Sequence, residues 1–261
     1  MSYKRGVKGG MLTINSNFQQ LLEKENIFSF INTSIQQISY NIPDLFQRKE
    51  YWLFYYIKDD FWANCASLYR MDIEQDFLGF PLIRKNTRHA IEAFFDFYNL
   101  CYDPDYMCVL EQCAGERKDG GKYSKYLYHG RYTIRVKSEI AKIEHGGEFE
   151  KYLDIYRQCN AYVHPNVFLD VISVTDIRKK EEILKKFLLT NLELLDISYR
   201  LFLYRFNQNM QPLLFACHNR APYCDCNYCY KKLFNDFQCI VNDPVNPLLT
   251  LVNPAPINFQ Y

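Results

Sequence analysis

A mostly α-helical bundle is the fold class this sequence predicts, and three observations predict it. Apolar residues recur at helical spacing over long segments. Strand-like alternation is scarce. The apolar fraction of 48% supports a sizeable core, and an aromatic fraction of 17%, with 22 Tyr and 20 Phe, argues against disorder.

Taken in order, residues 1–12 are expected to be a flexible start. A helix is predicted over 15–38, with Phe18, Leu21, Leu22, Ile27, Phe28, Phe30 and Ile31 on its apolar positions, and Asn41-Ile-Pro43 ends it. The aromatic-dense segment 46–76, with Tyr51, Trp52, Phe54, Tyr55, Tyr56, Phe61 and Trp62, predicts a long or broken helix. Gly79-Phe-Pro81 reads as punctuation, and 82–101 as a strongly periodic helix. Asp103-Pro104 separates it from a short helix over about 105–115, and Lys118-Asp-Gly-Gly121 reads as a loop. A helix is expected over 123–143, ended by Gly146-Gly147, and another over 148–164. Residues 166–175 form a connection with β-branched residues and are expected to be extended. The longest helix is predicted over 176–206, capped by Asp176, with Leu184, Phe187, Leu188, Leu192, Leu195, Tyr199 and Phe202 as its stripe. Four of the ten prolines fall in the last twenty residues, which predicts an extended tail. There is no internal repeat. The expected organisation is an N-terminal helical extension over 1–79, a helical bundle over 80–210, and a Cys-rich segment with the tail over 211–261.

Composition bounds the function. A net charge of +1, from 31 basic and 30 acidic residues, gives no global electrostatic case for nucleic acid, so any such site must be a local patch. No apolar h-region follows the basic, Gly-rich residues 1–11, and no run of 18 apolar residues exists. The expectation is a cytoplasmic protein with no membrane partner. Its ten cysteines then read as reduced thiols or metal ligands.

The stretch Arg157-Gln-Cys-Asn160-Ala-Tyr-Val-His164-Pro165 carries the strongest chemical lead. Arg157 and His164 are seven residues apart, almost two turns at about 3.6 residues per turn. Asn160 lies three after the one and four before the other, so the three side chains are expected on one face. Pro165 stops the helix and leaves His164 near its C-terminus, where the macrodipole favours an imidazolium. A cation, an amide and an imidazole on one stripe suit a phosphate diester. In the helix over 82–101, Arg84, Arg88 and Glu92 repeat every four residues. They form either a solvated face with an i,i+4 pair, or a site in which an arginine sits beside the lead motif, braced by Glu92. His89 reads as an ordinary boundary residue.

Leu82-Ile-Arg84-x-x-x-Arg88-x-x-x-Glu92, followed by Tyr156-Arg157-x-x-Asn160-x-x-Val163-His164-Pro165, resembles the HEPN superfamily. Within it, the pattern is similar to that of bacterial proteins with a Tyr-x(3)-Ser/Asn-x(2)-Val-His-Pro signature. The resemblance covers about residues 80–206. Ribonucleases of that superfamily carry an arginine, four to six residues and a histidine; here six intervene, and Gln158 stands where Asn, Asp or His is usual. The resemblance implies a homodimeric helical bundle with two facing motifs. In active members it implies metal-independent RNA cleavage, in stress or antiviral (anti-phage) defence. Combined with the charged stripe it gives Arg157, Asn160 and His164 as candidate catalytic residues, Arg84 and Arg88 as candidate substrate-binding residues and Glu92 as the orienting one, with no cofactor for catalysis.

The chemistry is coherent. RNA self-cleavage needs a base for the 2′-OH, charge stabilisation at the phosphorane and an acid for the 5′-oxygen. His164 titrates in the right range, Arg157 can hold a phosphate bidentately, and Asn160 can orient the imidazole or donate to a non-bridging oxygen. Two-fold symmetry supplies a second histidine. The competing reading is a buried polar network in a non-catalytic binding or scaffold module. An open basic groove at a dimer axis favours the first and a buried stripe the second. Gly-rich phosphate loops, His-Glu-x-x-His and Gly-x-Ser-x-Gly are absent.

Cys217, Cys224, Cys226 and Cys229 fall within thirteen residues, and Cys226-x(2)-Cys229 has the spacing of half a zinc knuckle. They are candidate ligands of a closed, structural zinc site, with His218 as an alternative to Cys217; the competing reading is an accidental run. Cys65, Cys101, Cys108, Cys113, Cys159 and Cys239 are expected to pack in the core.

Overall fold

The computed structural model describes residues 11–24, 27–70, 79–160, 177–206 and 226–252. More than half of the chain is α-helix, as the long apolar stripes require. Among the described residues the order is β1 (Met11–Ile14), α1 (Ser16–Lys24), α2 (Ile27–Asn41), α3 (Lys49–Arg70), α4 (Gly79–Tyr102), α5 (Met107–Ala114), α6 (Ile134–His145), α7 (Glu150–Asn160), α8 (Ile177–Phe206), α9 (Cys226–Asn242) and β2 (Leu249–Val252).

The α4 helix is the centre of the bundle and packs against α3, α6, α7 and α8. From Phe94 to Leu100 every residue is buried, so this stretch is covered on all sides. Phe94, Phe95 and Phe97 are fully buried, and Phe97 lies 5.9 Å from Phe54 of α3, which stacks on Phe202 of α8 at 4.6 Å. The expected α8 stripe is buried in full. One core runs from Phe18 to Leu249, so α3 and α4, on either side of the division expected at residue 79, share it.

Polar side chains tie the helices where they cross. Thr87 Oγ1 of α4 accepts from Asn64 Nδ2 of α3 at 3.3 Å and Asn191 Nδ2 of α8 at 2.8 Å. Its own hydroxyl donates to the Ile83 carbonyl, so this fully buried group is satisfied on every side. Asp96 accepts from Lys137 Nζ of α6 at 2.6 Å and from Tyr106 Oη at 2.8 Å.

Three boundaries differ from the sequence reading. Gly79-Phe-Pro81 opens α4 instead of preceding it, because a proline in the first helical turn lacks an N–H that has no acceptor there anyway. The helix expected over 123–143 is confined to α6. Residues 121–126 form 3-10 turns, and a tight turn at His129 (φ 48°) and Gly130 (φ 73°) joins Tyr128 to Arg131. Two successive positive φ angles suit a two-residue hairpin and not a helix. Thr133 then caps α6, its hydroxyl accepting from the Val136 N–H. Finally, the expected free start and tail meet: β1 and β2 pair antiparallel, Met11 opposite Val252 and Ile14 opposite Leu249. Asn15 extends the clasp, donating from its backbone to the Leu248 carbonyl at 2.9 Å and from its amide to the Asn246 carbonyl at 3.2 Å.

His89 is more than a boundary residue. Its Nδ1 lies 2.6 Å from Asp60 Oδ2 and links α4 to α3. The hydrogen bond to Asp60 raises its pKa, against burial and with help from the Asp60 and Glu92 charges. A histidine whose folded pKa is raised contributes stability that is complete below the unfolded value and is lost as pH rises through the folded one. Wild type is therefore expected to lose melting temperature between about pH 5.5 and about pH 8.5, on either side of the ordinary imidazole value, by more than His89→Gln does. Equal losses in the two proteins would remove the pair from the account.

Candidate functional site

The α7 helix builds the site from a simple pattern. Tyr152, Ile155, Tyr156 and Cys159, at i, i+3, i+4 and i+7, form its buried stripe. Phe94 of α4 anchors it, its ring 5.6 Å from that of Tyr152 and 5.0 Å from that of Phe149. The opposite face carries Lys151, Asp154, Arg157 and Gln158, all exposed.

The first two residues of the lead motif lie beside this stripe. Arg157 stands in solvent, its side chain 68% exposed, and pairs with Asp154 at 2.8 Å. Asn160 is half-buried, and its Oδ1 finds no hydrogen-bond partner among the described residues. Positions three apart are neighbours on a helix, so the two residues lie on adjoining parts of one side of α7, with 157 in solvent and 160 at the edge of the stripe. His164 lies outside the described residues, four beyond the end of α7.

The α4 residues divide as well. Arg84 does not reach solvent: it is 3% exposed, with its guanidinium 5.7 Å from the centre of the Phe187 ring. Position 84 shares a helix side with buried Thr87 and Ile91, which places this cation inside the bundle and not on a solvated stripe. Arg88 and Glu92, each about one-third exposed, face α7. Glu92 Oε1 accepts from Arg88 Nε at 3.2 Å and from Tyr156 Oη at 2.5 Å. The Arg88 guanidinium lies 5.2 Å from the centre of the Tyr156 ring. The structure thus brings Arg88 and Glu92 together with Tyr156, the first residue of the resemblance motif and one the charge pattern did not single out. Its position on the apolar α7 stripe, one turn from Cys159 and Asn160, was the available signal.

The electrostatics limit the chemistry. Burial, and then the Glu92 carboxylate, raise the Tyr156 pKa, so the phenol donates and does not act as a base. Burial pushes the Cys159 thiol up to about 12 despite the nearby Arg84, Arg88 and Lys186, which leaves it protonated and a poor nucleophile at neutral pH. What the cluster offers is a guanidinium held in one orientation by a carboxylate and an aromatic face, with part of its surface open. That is a fixed anion-facing group.

The metal candidates are only partly placed. Cys226 and Cys229 lie in the first turn of α9, while Cys217 and Cys224 lie outside the described residues. Among the described residues no group of three His, Cys, Asp or Glu converges as metal ligands do. Of the cysteines expected in the core, Cys65 and Cys159 are buried and Cys101 and Cys108 half-buried, but Cys113 and Cys239 are exposed, so packing does not account for those two. No helix among the described residues is long and apolar enough to cross a membrane. Neither family models, nor curated proteins, nor solved structures match this chain.

Proposed function

We propose that this chain is a HEPN-like, metal-independent endoribonuclease that works as a homodimer in stress or anti-phage defence. The observation that carries the reading is the Arg88–Glu92–Tyr156 cluster beside the end of α7, the helix that leads into His164. In this scheme Arg88 holds the scissile phosphate, oriented by Glu92. Arg157 joins it by releasing Asp154, an exposed pair worth only about 0–1 kcal/mol. Asn160 positions the imidazole or a non-bridging oxygen. One His164 takes the 2′-OH proton as that oxygen attacks phosphorus. The partner copy's equivalent histidine protonates the departing 5′-oxygen, so the products are a 2′,3′-cyclic phosphate and a 5′-hydroxyl. The proposal also assigns Cys217, Cys224, Cys226 and Cys229 to one structural zinc that anchors the segment between α8 and α9, a role outside catalysis.

The second reading is a non-catalytic binding or scaffold module with the same zinc site. The burial of Arg84 and the hydrogen bonds from Asn64 and Asn191 to Thr87 favour it, because α4 there uses buried polar groups to link α3 and α8. Variants separate the two. In EDTA, His164→Ala is expected to lose RNA cleavage by about a hundredfold or more with the fold retained, and Arg157→Lys and Arg88→Ala to fall with it. Unaltered cleavage by a folded His164→Ala protein would overturn the mechanism. If the same substitutions only lower the melting temperature, and wild type cuts no RNA, the scaffold reading stands.

A further inference from the structure

Four cations gather at the C-terminal end of α7. Arg88 approaches it from α4, its guanidinium 5.2 Å from the centre of the Tyr156 ring. Lys186 approaches it from α8, its Nζ donating to Gln158 Oε1 at 3.0 Å. Arg157 stands between these two contacts in sequence, in solvent. Arg84 joins the group from inside the bundle, and the charges of Arg84, Arg88 and Lys186 all act on the Cys159 thiol. Two carboxylates meet these cations: Glu92 pairs with Arg88, and Asp154 with Arg157. Lys186 has neither. Among the described residues no carboxylate lies within ion-pair distance of its ammonium, and Glu182, one turn earlier on α8, is exposed and does not reach it. An exposed ammonium held only by a neutral amide remains open to an anion.

A second group at the same helix end narrows the kind of anion. Asn160 Oδ1, three residues after Arg157, is buried and meets no donor among the described residues. A bare anion brings no donor for it, whereas a ribose hydroxyl does. We propose that Lys186 binds a backbone phosphate of RNA next to the one that is cleaved, so that the strand crosses the end of α7 from Arg88 past Arg157 to Lys186. This rests on the ribonuclease reading and extends its site onto α8. Gln158 holds the ammonium in the free protein, and the phosphate takes its place, because it adds a charge attraction that an amide lacks. Lys186 takes no part in proton transfer, so its contact favours ground state and transition state alike and acts on binding.

Two measurements test the assignment: RNA cleavage kinetics in EDTA, and binding of a fluorescein-labelled all-2′-deoxy oligomer followed by anisotropy over a range of salt. Lys186→Gln is expected to raise KM about tenfold with kcat within about twofold of wild type, and to lower the slope of log affinity against log salt by about 0.7, as for one phosphate contact on a single strand. Lys186→Arg should behave as wild type, and Gln158→Ala should bind as well or better. Lys118→Gln, in the loop after α5, should change neither KM nor slope. Wild-type KM and slope in a Lys186→Gln protein that still cleaves RNA would overturn the assignment and leave the ribonuclease reading in place. A lower melting temperature and kcat with the slope unchanged would overturn it too, and would mark Lys186 as a cation that steadies the C-terminus of α7. Wild type that neither binds the oligomer nor cleaves RNA would overturn both.

Discussion

Lys137→Met is expected to destabilise the protein by about 3–5 kcal/mol, because it strands the Asp96 carboxylate inside the bundle. Lys137 and Asp96 are each only 13% exposed and meet at 2.6 Å. Methionine keeps the length and much of the apolar contact of the lysine but removes its charge. Tyr106 still donates to Asp96, but one neutral hydrogen bond does not replace an ammonium. For a chain of this size the melting temperature should fall by on the order of 10 °C. Adding Asp96→Asn should recover part of the loss, since a neutral amide is cheaper to bury than an unpaired charge. A loss below about 1 kcal/mol in the single variant would show that solvent reaches the pair and that it is no part of the core.

Phe94→Ala is expected to cost a similar amount, about 3–5 kcal/mol, by opening a cavity under α7. Phe94 is fully buried, and its ring meets Phe149, Tyr152 and Tyr98 at 5.0, 5.6 and 6.0 Å. Loss of this anchor acts on one helix more than on the rest. Amide exchange in α7 should accelerate beyond the change in α2 and α3, and the Arg88–Tyr156 contact should loosen with it. Uniform acceleration throughout would mean that α7 has no local dependence on Phe94.

These two variants also mark what the sequence could and could not tell. Helix periodicity is a local signal, so α8 could be read with its whole buried stripe, and α4 to within a turn at each end. Pairings across the chain carry no local signal. Lys137 and Asp96 are 41 positions apart, and Asn15 and Asn246 are 231 apart, so neither the buried ion pair nor the clasp of the ends could be anticipated. Arg84 shows residue type and periodicity in conflict. The charge suggests a surface, the register with Thr87 and Ile91 places it inside, and packing against Phe187 lets the register win. Arg157, beside Asn160 on the helix, lies farther from the apolar stripe and stands in solvent. The hairpin at His129-Gly130 was missed because its flanking residues are aromatic and charged in a pattern compatible with a helix. In the candidate site, Arg88 and Glu92 were legible from their four-residue spacing. Tyr156 stands in the resemblance motif, but its hydrogen bond to Glu92, 64 positions away, carries no local signal.

The most direct test of the central claim is the chemistry of the ends left on RNA. Wild type is incubated with an unstructured oligoribonucleotide in EDTA, beside the same oligomer carrying a single 2′-deoxy substitution at the mapped cleavage site, and the fragments are analysed by mass spectrometry. The account predicts a 2′,3′-cyclic phosphate on one fragment, a 5′-hydroxyl on the other, and no cleavage at the 2′-deoxy position. Cleavage at that position, fragments with 5′-phosphates, or activity that EDTA removes would contradict it.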